Sequence, residues 1–269
     1  MSATERTLPG VCRVLDADRE LAEAIPAVHR TQAISECLAR TALIRRGRSR
    51  KAEIEPMGNG FGLLVLRGLL IRRVDVEGRF GSELLGEGDV LRPWQEDQPP
   101  TLSITSRWRV IEATRVAVLD EQFAIRASRY PQLGACLVGR ALQRSRNLAV
   151  NMAIVHQARV DLRLHMILWH LAGRWGRVRS DGVSLSLRLT HNVLADLVAA
   201  RRPTVTSALS ELARQGQVHA IDDGWLLTGP PPGELLKLEA MSPAIAAAMG
   251  HRSQNSNRRA SLKDCGQLD

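Results

Sequence analysis

The stretch from Ser186 to Thr228 restricts the fold more than any other part of the chain, because it sets two short helical patterns and a hairpin in a fixed order. Thr190 is placed to cap a helix whose Val193, Leu194, Leu197 and Val198 share one face. Ala199-Ala200-Arg201 is a short connection, and Pro203 suits the first position of a second helix, where a missing N–H costs nothing. Val205, Ala208, Leu209 and Leu212 then recur at helical spacing and face inward. The opposite face carries Pro203, Ser207, Ser210 and Arg214, flanked by Thr204, Thr206 and Glu211 and entered through Arg201 and Arg202. Such a surface is small and polar, and fits a DNA major groove. Val218 to Ile221 and Trp225 to Leu227 are short apolar runs around Asp223-Gly224, a strong two-residue turn. Helix, tight turn, helix, hairpin reads as a winged helix-turn-helix. The competing reading is a helical hairpin followed by an unrelated β-hairpin with no role on DNA.

Upstream the texture differs. Gly58, Gly60, Gly62, Gly68, Gly78, Gly81, Gly86 and Gly88 punctuate β-prone runs at Leu63–Leu66, Leu69–Val74 and Glu83–Leu85, with two more at Thr101–Thr105 and Val110–Leu119. Short strands at such spacing predict an antiparallel sandwich or roll. No GxxxxGK[ST] phosphate loop occurs, so these glycines read as turn residues. The basic run Arg45 to Lys51 reads as a solvated turn, with an anion site as the alternative. From Tyr130 to Arg159 the residues predict one long helix with two adjacent apolar stripes. Leu133, Leu137, Ala141, Leu148 and Val155 form one, and Val138, Leu142, Ala149 and Met152 the other. Two stripes require two packing partners, the roll and a second copy of the helix. The expected dimer seam is Leu137, Ala141, Leu148, Met152 and Val155. Asp161 to Trp175 reads as a further helix, with Gly173 and Gly176 as stops. Pro230-Pro231-Pro232 closes the compact region, Leu235 to Met249 suits a short helix or two, and 251–269 is polar enough to be disordered.

These patterns predict an α+β chain: an N-terminal segment 1–21, a β-roll 22–129, a dimerisation helix and hinge 130–160, a winged helix-turn-helix 161–229, and a partly disordered tail 230–269. Lys and Arg outnumber Asp and Glu by 37 to 28, a net charge of +9 that favours an anionic partner. The start Met1 to Leu8 lacks an apolar core, and Phe61 to Ile71 is too interrupted to span a bilayer, so a cytoplasmic protein without membrane attachment is expected. Cys12, Cys37, Cys136 and Cys265 are far apart with no CxxC pair, which argues against a disulfide framework or a zinc site. No nucleophile elbow, metal-ligand cluster or paired catalytic carboxylates is visible, so neither catalytic nor metal residues are assigned.

Leu189-Thr190-His191-Asn192-Val193-Leu194-Ala195-Asp196-Leu197-Val198, then Arg201 to Thr206, then Gly224-Trp225-Leu226-Leu227 resemble the DNA-binding domain of the cyclic-AMP receptor protein (Crp/Fnr) family. The order of roll, long helix and reading head matches as well. The resemblance implies a homodimeric transcription regulator on near-palindromic promoter DNA, with RNA polymerase as a further partner and a cyclic-nucleotide-binding-like sensor domain. By position, Arg202 matches the family arginine that opens the recognition helix and reads guanine. Pro203 replaces a base-reading glutamate, and Ser207 stands where some members carry another arginine. Thr190, Arg201, Arg202, Pro203, Thr204, Thr206, Ser207, Ser210 and Arg214 are the expected DNA contacts. The cyclic-AMP pattern of Gly-Glu followed by Arg-Ser is absent: Gly88-Asp89-Val90-Leu91 leads into Arg92-Pro93-Trp94. Positions matching the family's adenine-contacting hydroxyls fall near Leu148 and Ala149. No cofactor is assigned beyond an unidentified small-molecule effector, for which Arg92, Trp94, Arg144 and Ser145 are the candidate contacts. Trp94 reads rather as plain core. A sensor that has lost its ligand is the alternative.

Overall fold

The computed structural model describes residues 10–48, 60–76, 79–92 and 104–239. The chain divides into two compact units, residues 1–149 and 150–269, with the boundary inside one long helix.

The first unit is built on an antiparallel sheet. Its strands are β1 (Val11–Arg13), β2 (Leu38–Ile44), β3 (Gly47–Arg48), β4 (Gly62–Val76), β5 (Arg79–Gly86), β6 (Val90–Leu91) and β7 (Ile104–Leu119). They lie in the order β1-β2-β7-β4-β5, with β3 on β7 and β6 on β4. Alternation along the two long strands fills two cores at once. Leu63 and Val65 of β4, with Val116 and Val118 of β7, enter an inner cluster with Ile44, Leu70, Leu85, Leu91 and Val110. Their neighbours Leu64, Ala117 and Leu119 point to the other side, into a cluster formed with helices. Those helices are α1 (Val14–Ala17), α2 (Arg19–Glu23), α3 (Ala27–Glu36), α4 (Glu121–Ala127) and the first turns of α5 (Pro131–Val155).

The sequence divides β4 and β7 into two runs each, whereas each is one continuous strand. Gly68 is the reason: it marks a bulge, not a turn. Its φ is +107°, and a Cβ there would lie 2.6 Å from the Ala113 carbonyl oxygen. The register with β7 shifts on both sides of it. The basic run is likewise not wholly a solvated turn, since Gly47 and Arg48 pair with Val110 and Arg109 of β7.

The start of α5 corrects the expected seam. Leu137 is 2% exposed and belongs to the helix-side core with Leu133, Phe123 and Tyr130. Its chain already supplies its packing partners, so it is not available to a second copy. The exposed apolar positions of α5 are instead Val138, Leu142 and Met152. Ala141 is exposed too, and Leu148 and Val155 are half-buried.

Cys12, Cys37 and Cys136 are all free thiols around this same core. Burial, reinforced by the Glu36 carboxylate, pushes the Cys37 thiol up to about 11. The thiolate is the reactive form, so Cys37 is chemically quiet. Iodoacetamide at about pH 8 is expected to spare Cys37 in the native chain and label it in urea, read by peptide mass spectrometry. Cys265, Trp94 and residues 240–269 lie outside the described residues.

The second unit holds α6 (Val160–Trp175), β8 (Gly176–Arg179), β9 (Gly182–Leu185), α7 (His191–Leu197), α8 (Arg202–Arg214), β10 (Val218–Ile221), β11 (Gly224–Leu227) and α9 (Gly233–Glu239). Its sheet runs β10-β11-β9-β8. Helix α6 continues through Gly173, and Gly176 ends it. The expected hairpin is present with its turn one residue earlier: Ile221 pairs with Gly224, so Asp222 and Asp223 form the tip. Gly224 is required because the next strand passes close by, and a Cβ there would stand 2.1 Å from the Leu185 carbonyl oxygen.

Candidate nucleic-acid interface

The polar helix α8 is mounted by its apolar side. Val205, Leu209 and Leu212 are buried, one turn or so apart. Thr190 caps α7 by accepting a bond from the Val193 N–H at 3.3 Å. The turn between the helices closes with the Ala200 N–H donating to the Ala195 carbonyl at 3.0 Å, which leaves Ala199 at φ +48°. That left-handed position usually belongs to glycine. Arg163 of α6 fixes the end of α7 by donating to the Val198 carbonyl at 3.2 Å. These bonds set the angle at which α8 is presented.

All nine expected contacts, Thr190, Arg201, Arg202, Pro203, Thr204, Thr206, Ser207, Ser210 and Arg214, are exposed. Helix α8 begins at Arg202, one residue before the expected start, with Pro203 in its first turn. Thr206, Ser207 and Ser210 each donate to the backbone carbonyl four residues back, at 3.1, 3.3 and 3.1 Å. The Ser207 and Ser210 oxygens keep lone pairs with which to accept. Among the described residues neither Arg201 nor Arg202 has an ion-pair partner. Arg214 differs: it holds Glu211 at 2.6 Å, and Gln215 holds the same carboxylate at 2.6 Å. The Arg214 bond, followed by the Gln215 bond, draws the exposed Glu211 carboxyl below its ordinary range. Sequence reasoning missed His191, whose Nδ1 lies 2.9 Å from Thr206 Oγ1 and ties α7 to the polar face of α8. A ring directly after a helix cap was the available signal.

A second site lies wholly within the first unit. A cavity of about 430 Å³ is lined by Phe61, Trp108, Leu137 and Val138 together with the side chains of Arg72, Arg92 and Arg144. Behind it sits Glu83, whose side chain is 5% exposed. Arg144 grips Glu83 with Nη2 at 2.5 Å and Nε at 3.1 Å, and Arg72 Nε lies 3.0 Å from the same carboxylate. Arg72 pairs across strands with Glu83 on one side and Trp108 on the other. Of the expected effector contacts, Arg92 and Arg144 meet here, Ser145 is exposed outside the lining, and Trp94 is not among the described residues.

Residues 162–228 match the family model of the Crp-like helix-turn-helix domain. A curated relative, the regulatory protein CysR of Synechococcus elongatus, is 26% identical over 160 residues, covering 56% of this chain and 69% of its own. The C-terminal unit therefore carries a Crp-like helix-turn-helix domain. Solved structures support the fold along most of the chain. A CooA mutant from Carboxydothermus hydrogenoformans matches with a TM-score of 0.53 and 17% identity over 90% of this chain and 97% of that one. A cyclic nucleotide-binding domain containing protein from Listeria monocytogenes EGD-e matches with a TM-score of 0.57 and 13% identity over 79% and 96%. The α+β architecture expected from the sequence, an antiparallel sheet followed by helices and a C-terminal helix-turn-helix, is the one observed. No helix of the chain's described residues is long and apolar enough to cross a membrane.

Proposed function

We propose that the chain is a Crp/Fnr-family transcription regulator, a cytoplasmic homodimer that reads near-palindromic promoter DNA with α8 and answers to a small-molecule effector other than cyclic AMP. The observation that carries the DNA reading is the open N-terminal end of α8, where Arg201 and Arg202 stand exposed beside a row of small hydroxyls. In this reading residues 22–129 form the sensor, 130–160 the dimerisation segment and hinge, and 161–229 the reading head. RNA polymerase is the downstream partner of a regulator bound at a promoter. Arg202 reads guanine, Arg201 meets phosphate, and the acidic tip Asp222-Asp223 keeps the wing from approaching the phosphate backbone closely.

Binding-site selection on the wild type and on Arg202→Ala tests the reading. The variant is expected to lose roughly 1–3 kcal/mol on the preferred site and to relax one base pair in each half-site. Arg201→Ala is expected to weaken all sequences alike. Unchanged specificity in the Arg202 variant would sink the assignment.

The cavity with its convergent guanidiniums supports effector control over a sensor that has lost its ligand. Among the described lining residues no hydroxyl or carboxylate is present to hold a ribose, which supports an effector other than a cyclic nucleotide. Calorimetric titration with cyclic AMP is expected to give no binding at micromolar concentration. Micromolar binding abolished by Arg92→Ala would refute this.

A further inference from the structure

Thr206, on the polar face of α8, is held from two sides. Its Oγ1 lies 3.1 Å from the Arg202 carbonyl oxygen and 2.9 Å from Nδ1 of His191. A hydroxyl has one proton, and a carbonyl has none to give. The Thr206 proton therefore goes to Arg202, and His191 donates through Nδ1. That fixes the ring in the tautomer protonated on Nδ1. Ser207 and Ser210 bond back along the helix in the same way, but among the described residues no second side chain clamps them.

With both ties made, the Thr206 hydroxyl is turned onto the protein and has no proton to offer a base edge. The residue is nonetheless exposed. Tetrahedral geometry at Cβ leaves the γ-methyl as its outward group. We propose that His191 is a positioning residue that turns the methyl of Thr206, instead of its hydroxyl, to the major groove, so that Thr206 selects a thymine by its methyl group. The thymine methyl stands in the major groove, and a threonine methyl is one of the apolar groups that meet it. The inference rests on α8 as the reading helix, and adds the base that one position prefers and the residue of α7 that sets the preference. A threonine in a helix ordinarily divides between two χ1 rotamers. The bond from His191 selects one of them, so the preference is set by the packing of α7 on α8 and not by α8 alone.

The probe is the operator recovered by binding-site selection on the wild type, with deoxyuridine replacing each thymine in turn in both half-sites. That exchange deletes the methyl group and nothing else. Fluorescence anisotropy on the full-length protein gives the affinity ratio of the thymine operator to the deoxyuridine operator. At one position the wild type is expected to show a ratio of about tenfold, from one buried methyl in each half-site. Thr206→Ser keeps the hydroxyl, removes the methyl, and is expected to bring the ratio to about one. Thr206→Val keeps the methyl and should preserve the ratio. His191→Ala is expected to lower it to about threefold or less, because the hydroxyl can then turn outward. His191→Asn, whose amide can donate from the place of Nδ1, is expected to restore it. A phosphate contact or a purely structural role of His191 would change both operators alike and leave the ratio where it was. A ratio near one at every thymine in the wild type, or a ratio that survives Thr206→Ser or His191→Ala, would each overturn the proposal. If His191→Ala does not fold, the wild-type ring decides: nitrogen NMR spectra at about pH 8 are expected to place its proton on Nδ1, and a proton on Nε2 alone refutes the clamp. Sequence-specific binding without a thymine ratio would refute only this inference. Absence of sequence-specific binding by the wild type would sink the reading of α8 and this inference with it.

Discussion

Arg140→Ala is expected to destabilise the N-terminal unit by about 3–5 kcal/mol, because it strands a buried carboxylate. Arg140 donates to both oxygens of Asp18, at 2.5 and 2.9 Å, and to Glu20 at 2.8 Å. Asp18 is only 11% exposed at its side chain, whereas Glu20 faces water at 77%, so the loss falls on Asp18. Burial works against the Arg140 charge, yet the Asp18 bonds outweigh it and raise the guanidinium above its ordinary value. Asp18 also caps α2 by accepting from the Leu21 N–H at 3.2 Å, so its disturbance reaches the start of that helix. Urea unfolding followed by circular dichroism measures the cost. Pairing the change with Asp18→Asn removes the stranded charge and is expected to recover part of it. A double variant no more stable than Arg140→Ala would show that the lost packing of the arginine stem dominates.

Leu142→Asp is expected to leave each chain folded and to lower operator affinity by about 100-fold or more, through loss of the second half-site. Leu142 is 56% exposed, on the face of α5 that also carries Val138 and Met152. A charge there meets water in the single chain and an apolar partner in the proposed dimer. Leu137→Asp provides the contrast: its side chain is sealed in the core, so the expected result is unfolding. Sedimentation should give a folded monomer for the Leu142 variant, and fluorescence anisotropy should find half-operators bound as by the wild type. An undiminished dimer would place the association elsewhere.

The reading head was largely legible because each of its boundaries has local chemistry: a threonine cap, a proline in the first turn, an aspartate-glycine hairpin. The same signal, Asp181-Gly182, also marks the hairpin of β8 and β9, a strand pair absent from the sequence expectation. The roll was legible in class but not in strand length, since a glycine in a bulge and a glycine in a turn look alike in a sequence. The electrostatics of the first unit were least legible. Arg140 meets Asp18 across 122 residues and Arg144 meets Glu83 across 61, and no spacing rule spans such distances. The two stripes of α5 were visible, but which one the chain keeps for itself depended on where the sheet lay. Leu137 accordingly moved from the seam to the core.

The two-faced strand pair of β4 and β7 has a consequence for how this chain can vary. Leu63 and Leu64 are neighbours in sequence, yet they belong to different cores. Changes at these two positions should combine almost independently. Leu64 and Phe123 lie far apart in the chain but share one core, and their changes should be strongly epistatic. Drift in the first unit can therefore proceed in two compartments, except at the cavity, whose wall draws on both: Trp108 from the inner side, Phe61 and Leu137 from the helix side.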